Sequence, residues 1–268
     1  MPHDCSHRDF LERQYGNSQN LSARADLYRR FGTSTYGWFD DRLDLPKNGS
    51  VLELGCGHGL LWRKCIDRVD SGWSVILSDV SPGMVADAKR ALAGSREAAF
   101  EFAVIDAQAI PLGAGTFDAV IANHVLYHVP NRLRALKEIH RVLKPSGRLI
   151  ASTVGEGHLA EIRSLIRRFD PRLLERDQDV LFGFTLQSGE PELDAIFDTV
   201  DLELYDDSLV VTEFGPLLEY VRSRVDTELL SPQLDEFRAF LGEEFRRMNG
   251  SIHISTETGM FLAAKASA

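Results

Sequence analysis

Three glycines at alternate positions follow a short apolar run and could support ligand chemistry. Residues 51–54 are predicted to form a buried strand, and Gly55, Gly57 and Gly59 come directly after it. Glycine allows the backbone to approach a ligand closely because no Cβ stands in the way. Residues 60–69 are predicted to form a helix, whose first N–H groups are available to a ligand. This strand, turn and helix therefore predict a cradle for a nucleotide-type ligand.

The glycine spacing argues against two common phosphate-binding motifs. The dinucleotide fingerprint G-x-G-x-x-G would need its third glycine where the chain has Leu60, because Gly59 comes one residue early. The phosphate-binding loop of nucleotide triphosphatases also fails, since no Gly-Lys-Ser/Thr follows. A phosphate group is therefore not the expected ligand of this turn. For the same reason a nicotinamide oxidoreductase is the weaker alternative.

Acidic residues end the next two predicted strands. Residues 73–77 form the second strand, and Asp79 follows it. Residues 100–105 form the third strand, and Asp106 follows it. A carboxylate such as Asp79 can accept hydrogen bonds from both hydroxyls of a ribose, and charge-assisted hydrogen bonds are the stronger kind. The alternative for Asp79 is an ordinary loop aspartate.

A fourth predicted strand, residues 117–122, precedes Asn123-His-Val-Leu-Tyr-His-Val-Pro130. Strands that alternate with helices predict a parallel sheet that is covered on both faces. Ligands of such sheets bind outside the carboxyl ends of the strands. The glycine turn, Asp79, Asp106 and Asn123 all occupy such ends, so the sequence predicts that they share one site.

These segments resemble the motifs of the class I S-adenosylmethionine (SAM)-dependent methyltransferases. Glu53-Leu-Gly-Cys-Gly-His-Gly59 is similar to the first motif of that family, and Phe117-Asp118 with the segment from Asn123 to Pro130 is similar to its fourth. The fourth motif is closest to the small-molecule methyltransferases, of type 11 and of the ubiquinone-biosynthesis kind. The resemblance implies an α/β, Rossmann-like, doubly wound sheet of seven mainly parallel strands with an antiparallel last strand and a helical cap.

The resemblance also implies SAM as cofactor, S-adenosyl-L-homocysteine (SAH) as product, and a role for each matching residue. In the family the glycine turn packs against the methionine end of SAM, and the carboxylate at the position of Asp106 binds the adenine amino group. The implied cofactor-binding residues are Glu53, Gly55, Cys56, Gly57, Gly59, Asp79, Val80, Met84, Asp106, Ala107, Gln108, Asn123 and His124.

His128 and Tyr127 are the candidate catalytic residues. An imidazole whose pKa lies near neutrality suits a general base, which is needed if the acceptor loses a proton. Tyr127 is the second choice and could instead face the sulfonium as an aromatic partner. The alternative for His128 is a structural hydrogen bond to backbone, and the alternative for His124 is a place in the cofactor wall. No metal site is expected, because the remaining histidines and the cysteines lack ligand spacing.

The flanks of the core are predicted from their patterns. Residues 1–45 are expected to form a helical lid, 46–213 and 251–268 the SAM-binding core, and 214–250 a helical insertion or cap. Residues 202–211 are expected to form one strand, with an antiparallel last strand over 260–264 beside it. In the helix predicted at 132–143, Leu133, Leu136, His140 and Leu143 are expected to lie on one side.

Composition limits the choice of partners and compartment. The chain has 268 residues and a net charge of −10, which disfavours a nucleic-acid partner because such binding needs clustered Lys and Arg. Three scattered cysteines without a C-x-x-C motif suit a reducing cytoplasm. The start of the chain has no apolar signal core, and no apolar run is long enough to span a membrane. A homodimer is left open.

The expected reaction is methyl transfer from SAM to N, O or C of a small metabolite, in secondary metabolism by analogy of layout. The first alternative is a SAM-binding scaffold or regulator without transfer activity, and the second is an NAD-dependent oxidoreductase. A nucleic-acid methyltransferase is disfavoured by the net charge and because the slot of its Asn-Pro-Pro-aromatic motif reads Asn-His-Val-Leu here.

Overall fold

The computed structural model describes residues 19–33, 43, 45, 47–69, 72–94, 100–174, 183–225 and 227–267. The first eighteen residues of the expected lid, and residues 34–42 with most of its aromatic segment, lie outside this range. Within the described residues, none of the helices has both the length and the apolar character that crossing a bilayer requires.

The strands of the fold form a central sheet and a small two-stranded ribbon. In chain order the strands are β1 (Ser50–Leu54), β2 (Ser74–Asp79), β3 (Phe100–Val104), β4 (Phe117–Asn123), β5 (Leu143–Val154), β6 (Thr199–Tyr205), β7 (Ser208–Val211), β8 (Ile252–Ser255) and β9 (Thr258–Ala264).

The central sheet has the strand order β3-β2-β1-β4-β5-β9-β6. The pairs among β1 to β5 are parallel, and β9 lies antiparallel between β5 and β6. The predicted seven-stranded, mainly parallel sheet with an antiparallel last strand is therefore confirmed. The ribbon of β7 and β8 pairs separately from this sheet.

Helices cover the sheet and build the flanking regions. The α-helices are α1 (Gln19–Phe31), α2 (Leu60–Cys65), α3 (Pro82–Ala91), α4 (Arg132–Val142), α5 (Ala160–Phe169), α6 (Gly189–Asp194), α7 (Phe214–Arg222), α8 (Thr227–Leu230) and α9 (Leu234–Arg247). Ser81 is the N-cap of α3, since its hydroxyl accepts a hydrogen bond from the N–H of Met84 and Pro82 occupies the first helical position.

The parallel strands are buried on both faces. In β1, Val51 belongs to the hydrophobic cluster beneath α2 and α3, whereas Leu52 belongs to the cluster beneath α4. Successive side chains of a strand point to opposite faces, so one strand feeds both clusters. This explains why the sequence shows continuous apolar runs here and not an alternating pattern.

The covered face of α4 contains Ala135, Leu136, Ile139 and Val142, whereas Leu133 is 52% exposed. Only the position of the sheet decides which face of the helix is covered. One predicted element was wrong. The segment 202–211 is not one strand, because the chain turns after β6 and β7 pairs with β8 in the ribbon.

Residues 144–147 form an irregularity near the start of β5. The pairing of β4 with β5 shifts register there, from Phe117 opposite Leu143 to Ala119 opposite Arg148. A Cβ on Gly147 would lie 2.9 Å from the carbonyl oxygen of Lys144, so glycine is the residue that this close approach admits.

A third hydrophobic cluster lies outside the sheet, and we call it the cap cluster. It unites α1, α5, the β7–β8 ribbon, α7 and α9 through residues that include Leu27, Leu165, Leu209, Leu217 and Phe237. α1 is thus part of the same packed body as the predicted cap. The domain boundaries given above stay a prediction.

Replacement of Trp62 by Phe tests how the glycine-turn helix is held to the sheet. Trp62 is fully buried, and its indole N–H donates a hydrogen bond of 2.7 Å to the buried Glu53 Oε2. Trp62→Phe removes this donor, and we expect the free energy of unfolding to fall by about 2 kcal/mol. Urea denaturation measures the change. Leu204→Ala at an exposed sheet-edge position is the control, with an expected change below about 0.5 kcal/mol. Equal stability of both variants would contradict the interpretation.

Candidate cofactor site

The strand order brings the predicted site residues to one edge of the sheet. β3, β2, β1 and β4 are consecutive neighbours, and all four run parallel. Their carboxyl ends therefore place Asp106, Asp79, the glycine turn and Asn123 side by side in that order. The residues are 70 positions or fewer apart in the chain, but it is the sheet that makes them neighbours.

The glycine turn depends on backbone conformations that only glycine adopts without strain. Gly55, Gly57 and Gly59 have φ angles of 71°, 54° and 74°, all in the left-handed region. A Cβ on Gly55 would lie 2.5 Å from Cγ2 of Val125, and a Cβ on Gly57 would lie 3.0 Å from Cδ2 of Leu21. The turn therefore has both the dihedral angles and the close packing that the three glycines predicted.

Asp79 is tied to the glycine turn by its side chain. The N–H of Gly57 donates to Oδ2 of Asp79 at 3.1 Å, and the N–H of Ser81 donates to Oδ1 at 2.8 Å. Burial raises the pKa of Asp79, and these backbone donors oppose that rise. A half-buried carboxylate with spare acceptor capacity thus stands at the end of β2, beside the turn.

Glu53 and Cys56 have surroundings that differ from their implied roles. Glu53 is buried within β1, and its carboxyl group accepts the hydrogen bond of Trp62 described above. Cys56 is also buried, and burial followed by the charges of Glu53 and Asp79 raises the pKa of its thiol. A thiol of that kind is a poor nucleophile, which agrees with a small residue that fills a tight loop. Cofactor contacts for both residues stay a prediction.

Two valines provide an apolar surface beside Asp79. Val80 and Val104 are each 54% exposed, and Val104 is the register partner of Asp79 in the β2–β3 pair. Exposed valines at a carboxyl edge are suited to contact a flat aromatic ring such as adenine. Val80 was in the implied set, but Val104 was not. Met84, by contrast, is buried in the first turn of α3, so its implied contact stays a prediction.

Asp106 and Gln108 form a small network after β3. Oδ1 of the exposed Asp106 accepts hydrogen bonds from the backbone N–H of Gln108 at 2.8 Å and from its side-chain amide at 3.1 Å. Oε1 of Gln108 accepts a hydrogen bond from the N–H of Asn131, the N-cap residue of α4, at 3.1 Å. Ala107 between them is buried. The loop is therefore held to the start of α4, with Asp106 at its accessible side.

The end of β4 is fixed by its neighbour β5. Ser152 donates a hydrogen bond to Oδ1 of Asn123, and the N–H of His124 donates to Oγ of Ser152 at 3.0 Å. His124 has a positive φ of 54°, which is rare for a residue with a side chain and common at functional sites. His124 is exposed as a whole residue, and desolvation of its ring lowers its pKa to about 4. His124 is therefore neutral at physiological pH.

Tyr127 and His128 lie in the short helical turn that follows, Leu126–His128. Their ring centroids are 4.5 Å apart in an edge-to-face arrangement, and Tyr127 lies 6.4 Å from the ring of His124. Both are half-buried. The structure thus gathers the predicted base, the predicted aromatic partner and His124 into one cluster beside Asn123.

The cradle fits SAM on two observations. Gly55 and Gly57 are partly accessible and carry no Cβ, so a ligand can approach the backbone of the turn closely. Nδ1 of His58, within the turn, is buried and has no hydrogen-bond partner among the described residues. No group of three or more His, Cys, Asp or Glu that could hold a metal ion occurs in the described part of the chain.

Comparison with known proteins shows that the core is similar to methyltransferases. Residues 52–151 match the family model described as a methyltransferase domain. A malonyl-[acyl-carrier protein] O-methyltransferase of Enterobacter lignolyticus (strain SCF1) is 32% identical over 134 residues, which are 49% of each chain. A demethylmenaquinone methyltransferase of Lactococcus lactis subsp. lactis (strain IL1403) is 38% identical over 101 residues, 38% of this chain and 40% of that protein. The chain spans about half the length of the curated relatives that it matches.

Solved structures with a similar fold cover nearly the whole chain. Haemonchus contortus phosphoethanolamine N-methyltransferase 2 in complex with S-adenosyl-L-methionine has a TM-score of 0.60 and 21% identity, and covers 97% of this chain and 60% of its own. The [4+2]-cyclase SpnF has a TM-score of 0.56 and 19% identity, and covers 86% of this chain and 79% of its own. At such identities the likeness concerns the fold alone.

Replacement of Gly55 by Ala tests the cradle. Gly55→Ala adds the strain of a left-handed conformation and a clash with Val125, so we expect affinity for SAH to fall at least about tenfold, measured by calorimetric titration. Gly115→Ala is the matched control, because Gly115 has a similar φ of 62° and its added Cβ would meet nothing within 4 Å. The cradle assignment fails if the two variants bind SAH equally well.

Proposed function

We propose that this chain, whose residues 52–151 match the family model described as a methyltransferase domain, transfers a methyl group from SAM to N, O or C of a small-molecule acceptor. The observation that carries the proposal is the hydrogen bond between the glycine turn and Asp79. It places a carboxylate for the ribose directly beside the backbone surface for the methionine end.

The residues of the cradle divide the work of binding. The glycine turn meets the amino-acid end of the cofactor, and Asp79 accepts hydrogen bonds from the ribose hydroxyls. Val80 and Val104 contact the adenine, and Asp106 accepts a hydrogen bond from its amino group. When bound, SAM supplies a methyl group on a positively charged sulfonium, which makes that methyl electrophilic. The protein then contributes mainly by holding the acceptor in line, which can lower the barrier by roughly 7–11 kcal/mol.

The cluster beyond β4 forms the acceptor side. His128 takes a proton from the acceptor where the reaction releases one, and Tyr127 packs against its ring and faces the reacting centre. His124 is neutral and supplies an uncharged wall. Because His124 is neutral, it adds no second positive charge beside the sulfonium that the acceptor's electron pair attacks.

The acceptor class is supported by the relatives and by charge. One relative is named as an O-methyltransferase of malonyl-[acyl-carrier protein], and another is named as a methyltransferase of demethylmenaquinone. The net charge of −10 is unsuited to a nucleic-acid backbone. The same proposal includes a role in secondary metabolism and a homodimer.

Asp79→Ala tests the cofactor half of the proposal. We expect loss of most SAM affinity, since the variant removes both the ribose acceptor and a bond to the glycine turn, whereas Asp201→Ala on the exposed side of β6 binds normally. Titrations at several pH values add a signature. Binding by the ionised carboxylate is lost as pH falls through the raised pKa of Asp79, so the loss begins above the pH expected for an ordinary aspartate. Unchanged affinity in Asp79→Ala would refute the assignment.

His128→Ala tests the catalytic half. With an acceptor found by following SAH release over a panel of small O-, N- and C-nucleophiles, we expect kcat to fall about 10²–10⁴-fold while SAM affinity persists. His140→Ala is the control, because His140 packs against Phe197 on the far part of α4. Wild-type turnover in His128→Ala at saturating acceptor would rule out the general base. Tight SAM binding with no transfer to any acceptor would favour the scaffold alternative.

A further inference from the structure

Helix α1 spans the distance between the cofactor cradle and the cap cluster. At its start, Leu21 lies against the glycine turn, close enough to block a Cβ on Gly57. At its end, Leu27 and Phe31 are buried in the cap cluster. The next residue but one, Thr33, donates its N–H to the carbonyl of Ser208 in β7 at 2.9 Å. α1 therefore lies over the turn that meets the cofactor while its far end is anchored in the cap.

Tyr28 of α1 makes a direct polar contact with His158, which follows strand β5. The Tyr28 hydroxyl and Nε2 of His158 are 2.8 Å apart, and the two rings are nearly parallel, at 9° with a centroid distance of 6.3 Å. The two residues are 130 positions apart in the chain. His158 is buried just beyond the carboxyl end of β5, the strand beside β4, so it belongs to the same rim as the cofactor residues.

The hydrogen bonds define the protonation state of His158. Nδ1 of His158 accepts a hydrogen bond from the backbone N–H of Glu257 at 3.2 Å. A ring nitrogen that accepts carries no proton, so the neutral ring has its proton on Nε2. Nε2 therefore donates to the Tyr28 oxygen. The direction of this hydrogen bond is determined by a backbone group that cannot change its role.

The segment that carries His158 is held rigidly by the same Glu257. The N–H of Gly157 donates to the Glu257 carboxylate at 2.9 Å, and the N–H of Gly155 donates to its carbonyl at 3.0 Å. A Cβ on Gly155 or Gly157 would lie 2.1 or 2.2 Å from the carboxylate oxygens. The β8–β9 turn thus fixes the position of His158.

We propose that the Tyr28–His158 hydrogen bond is a latch that holds α1 closed over the bound cofactor, with both side chains acting as positioning residues that slow cofactor release. The proposal rests on the cofactor site proposed above, because the latch acts on what the glycine turn binds. It assigns a role to two residues that lie outside the cradle and outside the His128 cluster.

The surroundings of His158 make the latch sensitive to pH. The groups that face it are Tyr28 of α1, His124 after β4, Arg163 of α5, Arg224 after α7 and Glu257 of the β8–β9 turn. Burial, followed by the nearby His124, Arg224 and Arg163, lowers the pKa of His158 well below its usual value. Protonation would place a second N–H on Nδ1, opposite the N–H of Glu257, and would break that hydrogen bond.

The sign of the pH effect follows. In the open state the ring is hydrated and its pKa returns toward about 6.5. Above that pH both states are neutral and the latch contributes fully. As pH falls below it, the open state gains a proton that the closed state resists, so closure weakens and the cofactor leaves faster.

The first test measures SAH dissociation by stopped flow at about pH 7.5 in wild type, Tyr28→Phe and Tyr205→Phe. Tyr28→Phe keeps the ring stack and removes the hydroxyl, so we expect release about three- to tenfold faster, from the usual strength of one hydrogen bond. Tyr205→Phe, at the sheet edge, should match wild type. A thermal-unfolding midpoint that stays the same in both variants separates the latch from loss of folding.

The second test uses His158→Gln, whose amide keeps a donor near the Nε2 position and does not titrate. We expect the SAH affinity of the wild type to fall as pH decreases from about 7.5 to 5.5. In His158→Gln this decrease in affinity should be absent. The His158→Gln variant should also release SAH more slowly than His158→Phe, which has no donor at this position. The comparison removes the contribution of Asp79, which both proteins share.

Two results would overturn the latch while leaving the proposed function intact. One is a Tyr28→Phe variant that releases SAH at the wild-type rate. The other is a His158→Gln variant whose SAH affinity depends on pH as the wild type's does. A wild-type protein that binds no SAH at any pH would instead refute the cofactor site, and the latch together with it.

Discussion

The hydrogen bond from Gly57 to Asp79 is the interaction on which the site depends. A carboxylate that is partly withdrawn from water needs compensating donors, and the backbone of the glycine turn provides one of them. In return the carboxylate holds the turn at a defined distance from the end of β2. The positive φ of Gly57 aims the N–H group correctly, so the conformational freedom of glycine and the charge of aspartate act as one device.

Parallel pairing makes this device part of a larger arrangement. β1, β2, β3 and β4 end at the same edge, and each end contributes one polar group from a different stretch of chain. β5 extends the set, since Ser152 fixes Asn123 and His124, and the segment beyond β5 carries His158. The rim therefore runs continuously from Asp106 to His158, with Asp106 and Asp79 at one end and the aromatic and imidazole groups at the other.

Local patterns were enough to predict the cradle and most of the sheet. Glycine spacing and apolar runs each reflect a constraint that acts within about ten residues, and the tight turn and the parallel strands that they predict are present. Features that depend on distant packing were harder to predict. The buried face of α4 depends on the sheet that it covers, so helical spacing alone did not reveal that Leu136 is buried and Leu133 is exposed. The break between β6 and β7 had a local signal in Asp206-Asp207, whose side chains favour turns, but the surrounding apolar residues concealed it.

His158 and Tyr28 show what a consistent use of the strand-end rule could have found. Gly-Glu-Gly-His follows β5 as the other motifs follow their strands, and glycines at Gly155 and Gly157 mark a close approach of another group. The partner of His158 could not be read in the same way, because Tyr28 looks like any apolar position of an amphipathic helix. The contact arises because α1 belongs to the cap cluster while Leu21 reaches the glycine turn. A helix held by one hydrophobic body and placed over the ligand site of another must bridge them by specific contacts, and a directed hydrogen bond between Tyr28 and His158 meets that need without adding a charge beside the sulfonium.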